Sequence, residues 1–107
     1  SGITFNPVIR MDGARAEIYI DTGDELRNFN IYSKLKSREN DISTSFPGKL
    51  IWQDLPEKRA CRICVQYNDF GLNDYEHWEG IINWLGDSIA ALIRVFKPLI
   101  DTVMRNI

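Results

Sequence analysis

Apolar and polar positions along the chain fall into two strand-like stretches, a helix-like stretch, two more strands and a long final helix. The cleanest alternation is Ala14–Asp21 (ARAEIYID). Ala14, Ala16, Ile18 and Ile20 share one side and Arg15, Glu17, Tyr19 and Asp21 the other, the two-residue period of an extended backbone. Ile3–Ile9 (ITFNPVI) before it is also strand-like. Pro7 has no amide hydrogen to give a ladder, so this strand belongs at a sheet edge or a bulge. Asp12-Gly13 between the two is a tight-turn signal. From Thr22 the period changes: Thr22 can cap a helix, with Glu25 completing a capping box. Leu26, Phe29, Tyr32, Leu35, Ile42 and Phe46 then mark one apolar stripe of a helix of roughly six turns, ended by Pro47-Gly48.

Lys49–Leu55 and Lys58–Tyr67 read as a second strand pair joined around Pro56. In the latter, Cys61, Ile63, Val65 and Tyr67 share one face and Ala60, Arg62, Cys64 and Gln66 the other. Asn73 is placed to cap the final helix, with Glu76 in its first turn. There Trp78, Ile82, Leu85, Ile89, Leu92, Phe96, Leu99 and Val103 alternate steps of four and three, flanked by Ile81, Ile93, Ile100, Met104 and Ile107. Pro98 falls inside and is predicted to kink or break the helix. The order β-β-α-β-β-α predicts an α+β fold in two layers: a four-stranded antiparallel sheet with two helices on one face, one domain over residues 1–107.

Composition changes this picture little. The chain has 107 residues, 44% hydrophobic and 26% charged, with three Trp, five Phe and four Tyr, enough for a core without disulfides. A net charge of −2 argues against a generic polyanion binder, which normally carries a strong basic excess. The apolar runs are too short for a membrane span, and no secretory leader precedes the first strand. The abrupt start at Ser1-Gly2-Ile3 suggests a segment of a longer protein, with reduced cysteines suited to a cytoplasmic location.

Candidate chemistry is sparse. Cys61-Arg62-Ile63-Cys64 is a C-x-x-C, but in a strand its two thiols point to opposite faces. A single histidine cannot complete a zinc site with them, and no helix start follows to activate a thiol. His77, beside Glu76 and Glu79, has no nucleophile or second titrating partner nearby in sequence and reads as a helix-end residue. Asp12, Glu17, Asp21, Asp24 and Glu25 cluster around the second strand, yet the lysine of a nuclease Glu-x-Lys is missing, because Glu17 is followed by Ile18 and Tyr19. Asp24 and Glu25 suit the positive end of a helix instead. Phosphate-loop, nucleophile-elbow and dinucleotide fingerprints are absent. No catalytic residue, metal or cofactor is expected.

Two surfaces carry the functional expectation. One is the sheet face away from the helices, with Thr4, Asn6, Arg15, Glu17, Tyr19, Arg62, Cys64 and Gln66. There Arg15, Tyr19 and Arg62 can contact a nucleic acid, or Arg15, Glu17 and Arg62 simply form cross-strand ion pairs. The other is the end of the final helix, which at 1.5 Å per residue runs ~50 Å from Asp74 to Asn106 against ~23 Å for a seven-residue strand. Either it folds back at Pro98, or Leu99, Ile100, Val103, Met104 and Ile107 project and need a partner, in a homodimer or on the parent protein.

Several pieces in order resemble one family. Ala14–Asp21 is similar to its "ARvElYID" strand, Leu50-Ile51-Trp52 to its "Leu-x-Trp" strand, Lys58–Ile63 (KRACRI) to its basic strand, and Trp78, Trp84 and Phe96-Lys97-Pro98 to its closing helix. The family is the prokaryotic domain of unknown function 4268. The resemblance covers nearly the whole chain. It implies the C-terminal module of a larger protein whose upstream part looks like a restriction-endonuclease-type nuclease, and it brings no catalytic residues. The expected function is thus a non-catalytic accessory or protein-interaction module of a DNA-processing or defence protein. The alternative is a nucleic-acid-binding module using the open sheet face, with Arg27, Lys34 and Arg38 of the first helix as added contacts.

Overall fold

The period-two segments pair as expected. In a computed structural model of the chain, which describes residues 2–107, they form β1 (Ile3–Arg10), β2 (Gly13–Ile20), β3 (Ile51–Leu55) and β4 (Ala60–Tyr67). All neighbours are antiparallel in the order β1-β2-β4-β3, which leaves β1, the strand with Pro7, at an edge. Register fixes the faces. Phe5, Ile18, Ile63 and Trp52 form one cross-strand row, and the neighbouring row of Asn6, Glu17, Cys64 and Ile51 points the opposite way.

Three helices cover the first face: α1 (Glu25–Lys36), α2 (Glu39–Ser45) and α3 (Trp78–Arg105). α3 lies over β1 and β2, α1 over β4 and β3. Their buried side chains, Ile31, Leu35, Ile81, Leu92 and Phe96 among them, close the core on Ala14, Ala16, Ile18, Ile20, Cys61 and Ile63. The layer therefore divides between a short helix and a long one. Small alanines on β2 let α3 come close, and the bulk comes from Phe96 and the isoleucines.

The first helical segment departs from the single six-turn helix. Its N-cap is Asp24, whose carboxylate accepts from the Arg27 amide at 3.1 Å. Thr22 turns its hydroxyl to Asn28 Oδ1 instead, at 2.6 Å. The helix then stops at Ser37, whose hydroxyl donates to the Lys34 carbonyl at 2.6 Å, and it restarts after Arg38. Lys36–Asp41 holds Ser, Asn and Asp, whose side chains compete for backbone partners, and no apolar residue that would anchor a straight helix. The stripe is also rotated. Leu26 is 82% exposed and Phe29 half-exposed, while Asn28, Ile31, Tyr32 and Leu35 are buried.

α3 takes neither branch expected at Pro98. It is helical for 28 residues, about 42 Å at the helical rise, and the molecule's longest axis is 46 Å. Pro98 and Arg94 are both exposed, so the Arg94 carbonyl that loses its donor to proline faces water. Thr102 spends its hydroxyl on the Pro98 carbonyl at 3.0 Å. The N-terminal end also differs from expectation. A 3-10 turn, Tyr75–His77, precedes Trp78, and Asn73 does not cap. Asp74 accepts from the Gly71 amide at 2.7 Å, and Gly71 lies so close to Met11 that a β-carbon there would sit 2.3 Å from its carbonyl oxygen.

Candidate functional site: the open sheet face

Strand parity puts Arg15, Glu17 and Tyr19 of β2 on the face that no helix covers, with Asn6 and Arg10 of β1, Arg62 and Cys64 of β4 and Gln53 of β3. At its centre Glu17 is buried, its side chain only 7% exposed. A carboxylate this far from water needs cationic or hydrogen-bonding partners, and it has them. Arg15 Nε donates to Oε1 at 2.7 Å, Asn6 Nδ2 donates to Oε2 at 3.0 Å, and Arg62 NH1 stands 3.8 Å from Oε1. Arg62 in turn donates from Nε to Gln53 Oε1 at 2.7 Å. The result is a polar chain across all four strands, from Asn6 through Glu17 and Arg62 to Gln53.

Cys64 sits opposite Glu17 and is fully buried. Burial raises its pKa. Arg62 and Arg15 pull it back down, Glu17 pushes it up, and Arg10 pulls it down again. Cys61 belongs to the other face, where its thiol donates to Asp54 Oδ1 at 3.7 Å. Burial first, then the Asp54 charge and that hydrogen bond, push the Cys61 pKa up to about 12. The two thiols are free and on opposite sides of the sheet, the geometry expected of a C-x-x-C in a strand. His77 stacks flat on Phe70, ring centres 3.5 Å apart, and so is held as a wall of the loop before α3. Among the described residues no three His, Cys, Asp or Glu side chains are grouped to hold a metal ion, and no helix is long and apolar enough to cross a membrane.

Arg15, Tyr19 and Arg62 thus share one surface, with Tyr19 directly opposite Arg62 and both partly buried. Arg27, Lys34 and Arg38 do not join it. They belong to the helical layer on the other side of the sheet, where Arg38 pairs with Asp41 at 3.8 Å. The terminal apolar set is divided. Ile100 is buried in the chain's own core; Leu99, Val103 and Met104 are partly buried and packed against it; Ile107 is 39% exposed. The projecting patch read from Leu99–Ile107 is therefore largely absorbed, because α3 runs on unbroken beside the start of β1 and Met104 lines a cleft with Ile3 and Phe5.

Three features escaped the sequence reading. The first is Arg10, one residue past the strand expected over Ile3–Ile9 and without a reading of its own. Its Nε is shielded from solvent without a hydrogen-bond partner, and the nearest carboxylate, Asp12, is 3.9 Å away. The second is Asn28, a buried amide whose Oδ1 accepts from Thr22 N at 2.8 Å while its Nδ2 donates to the Arg59 carbonyl at 3.0 Å. It ties the start of α1 to the turn before β4. The third is an apolar cleft along α3 and the edge strand β1, made of two pockets of about 500 and 440 Å³ that share no lining residue. Phe5 and Ile93 line one part, and Ile9, Ile82 and Ile89 the other. Parity did assign Phe5 and Ile9 to the helix side, but not how far α3 would leave β1 uncovered.

Against known proteins, no curated sequence and no solved structure is significantly similar to this chain. A family profile described as a domain of unknown function (DUF4268) matches residues 1–100, from before β1 to within the last turns of α3. With the match running across the sheet and nearly all of the helical layer, the chain belongs to the DUF4268 family.

Proposed function

We propose that this domain is a non-catalytic accessory module of a nuclease-like, DNA-processing or defence protein, and that it makes protein contact through the cleft between α3 and β1. One observation carries the reading. The helix-facing side of β1 is apolar (Ile3, Phe5, Pro7 and Ile9), and α3 covers it incompletely, leaving Ile82, Ile93 and Ile9 exposed along one side. Single exposed apolar residues are ordinary, whereas a connected run of them marks an interaction surface. The nuclease-like setting rests on the family resemblance. The non-catalytic character carries forward the expectation from sequence, which holds no catalytic motif. The partner is the nuclease-like part of the parent protein or a second copy of this chain.

Light scattering of the domain at micromolar concentration, alone and with the nuclease-like part, tests this. A complex is expected in one of the two mixtures, and Ile82→Glu together with Ile93→Glu should dissolve it. A domain that stays monomeric and binds nothing in both mixtures would falsify the proposal.

A further inference from the structure

We propose that Arg10, Arg15 and Arg62 grip the phosphate groups of a single-stranded nucleic acid laid across the open sheet face, with Glu17 as the brace that sets the geometry of Arg15 and Arg62. The three arginines lie on a diagonal. Arg10 is opposite Gly13, one step along the open face from Arg15, and Arg62 is one step beyond Glu17, so the track crosses from β1 to β4. Two carboxylates come within reach of the arginine heads, Glu17 beside Arg15 and Arg62, and Asp12 at 3.9 Å from Arg10 Nε. Three arginines against these two carboxylates leave the track an excess of one positive charge, in a chain whose net charge is −2. Chain-wide neutrality had argued against polyanion binding; the separation of charge by face removes that objection.

The way each arginine is held matters more than its charge. Arg15 and Arg62 are each tethered through Nε, to Glu17 and Gln53. Among the described residues, no hydrogen bond engages the terminal nitrogens of either. Arg62 also holds one terminal nitrogen 3.8 Å from Glu17, while Arg15 is fixed at its side alone. A guanidinium held that way presents paired N–H groups that fit two oxygens of a phosphate. Arg10 makes no hydrogen bond with its shielded Nε, so it too has unmet donor capacity. An ion-pair lattice that existed only for the fold would leave fewer donors open.

A single strand suits this face better than a duplex. Four strands at the usual spacing give a platform roughly 15 Å wide, and no helix lies on this face to enter a groove. Tyr19 stands beside Arg62 and offers a ring for a base, while Gln53 and Gln66 add amides that tolerate any sequence.

Fluorescence anisotropy with a labelled oligonucleotide of about 12 nucleotides tests the proposal. Binding should weaken on the order of tenfold between about 50 and 200 mM salt, as release of two or three counterions requires. Arg10→Gln and Arg62→Gln should each weaken it about tenfold at the lower salt with an unchanged melting temperature for Arg10→Gln, which lies outside the Glu17 network. Glu17→Gln keeps a carbonyl oxygen for Arg15 Nε, so the brace holds while the competing negative charge goes, and binding should tighten a few-fold. No binding at the lower salt overturns the proposal. So does Glu17→Gln weakening binding, poly-glutamate competing as well as the oligonucleotide (an acid-binding surface), or inorganic phosphate competing at equal concentration (a lone-phosphate site).

Discussion

The two faces of the sheet share every strand yet are held together by different physics. On the helix side, Ile18, Ile63 and Phe96 are fully buried and need no direction to their contacts. On the open side, burial arises without a covering layer. Glu17 and Cys64 lie beneath neighbouring arginines, and their environment is a set of directed hydrogen bonds. The apolar face tolerates small shifts in partner position but not lost volume. The polar face tolerates lost volume but not a lost partner. The face that looks idle from outside is therefore the more exacting in its geometry.

The largest expected effect breaks the apolar side. Phe96→Ala removes a fully buried ring that packs on Trp52 at 6.0 Å, and it should cost about 3–5 kcal/mol of unfolding free energy in a urea titration. Tyr19→Ser on the open face should cost far less. If the two losses came out equal, the open face would be a second core. Next in size is Glu17→Ala. It strands Arg15 and Arg62 side by side and should cost about 1–3 kcal/mol, while Glu17→Ala combined with Arg15→Ala recovers part of that loss. Strict additivity in that double-mutant cycle would show that the network contributes nothing as a unit.

Alkaline pH sharpens the contrast without mutation. The Cys61 thiol, buried over Asp54, has its pKa raised from an ordinary 9.0 to about 12. Its proton is therefore held more tightly in the folded chain than in the unfolded one. Its contribution is fully present below pH 9 and is lost as pH rises toward 12. Tyr32, raised mainly by burial and then by Cys61, Asp54 and Glu39, acts in the same sense at the upper end. Urea midpoints should fall across that window in the parent and fall less in Cys61→Ala. Identical slopes would remove the thiol from the account.

How much of this was legible in the sequence follows from the same physics. The parity of ARAEIYID assigned every β2 side chain to its face, because a strand one residue out of register would have placed Glu17 among isoleucines. The break at Ser37 was hidden, since Leu35, Ile42 and Phe46 keep helical spacing across it and only the local polar side chains decide the outcome. The stripe held at Tyr32, Leu35, Ile42 and Phe46 and failed in the first turns of α1, at Leu26 and Phe29, for a related reason. Leu26 and Phe29 advertise a hydrophobic face, but the buried side includes Asn28, whose three hydrogen bonds to Thr22 and Arg59 depend on turns no periodicity encodes. Pro98 misled in the opposite direction, because the helix rule concerns a lost bond and this one is lost to solvent. Arg10 was missed because a shielded donor without a partner is a property of packing.

The smallest expected effect on stability is the one that tests the apolar cleft most cleanly. Leu26 and Ile82 are both exposed aliphatic residues on helices, at 82% and 56%, and neither supports the core. Leu26→Gln and Ile82→Gln should each leave stability within about 0.5 kcal/mol, so neither substitution can act through unfolding. They differ in what surrounds them. Ile82 continues the line of Ile9 and Ile89 beside β1, whereas Leu26 stands at the opposite side of the helical layer, near Glu25 and Arg59. If the cleft is the contact surface, Ile82→Gln weakens association in sedimentation and Leu26→Gln does not. Equal losses would mean that exposed hydrophobicity in general drives association, with no place for the cleft, because only Ile82 lies along β1.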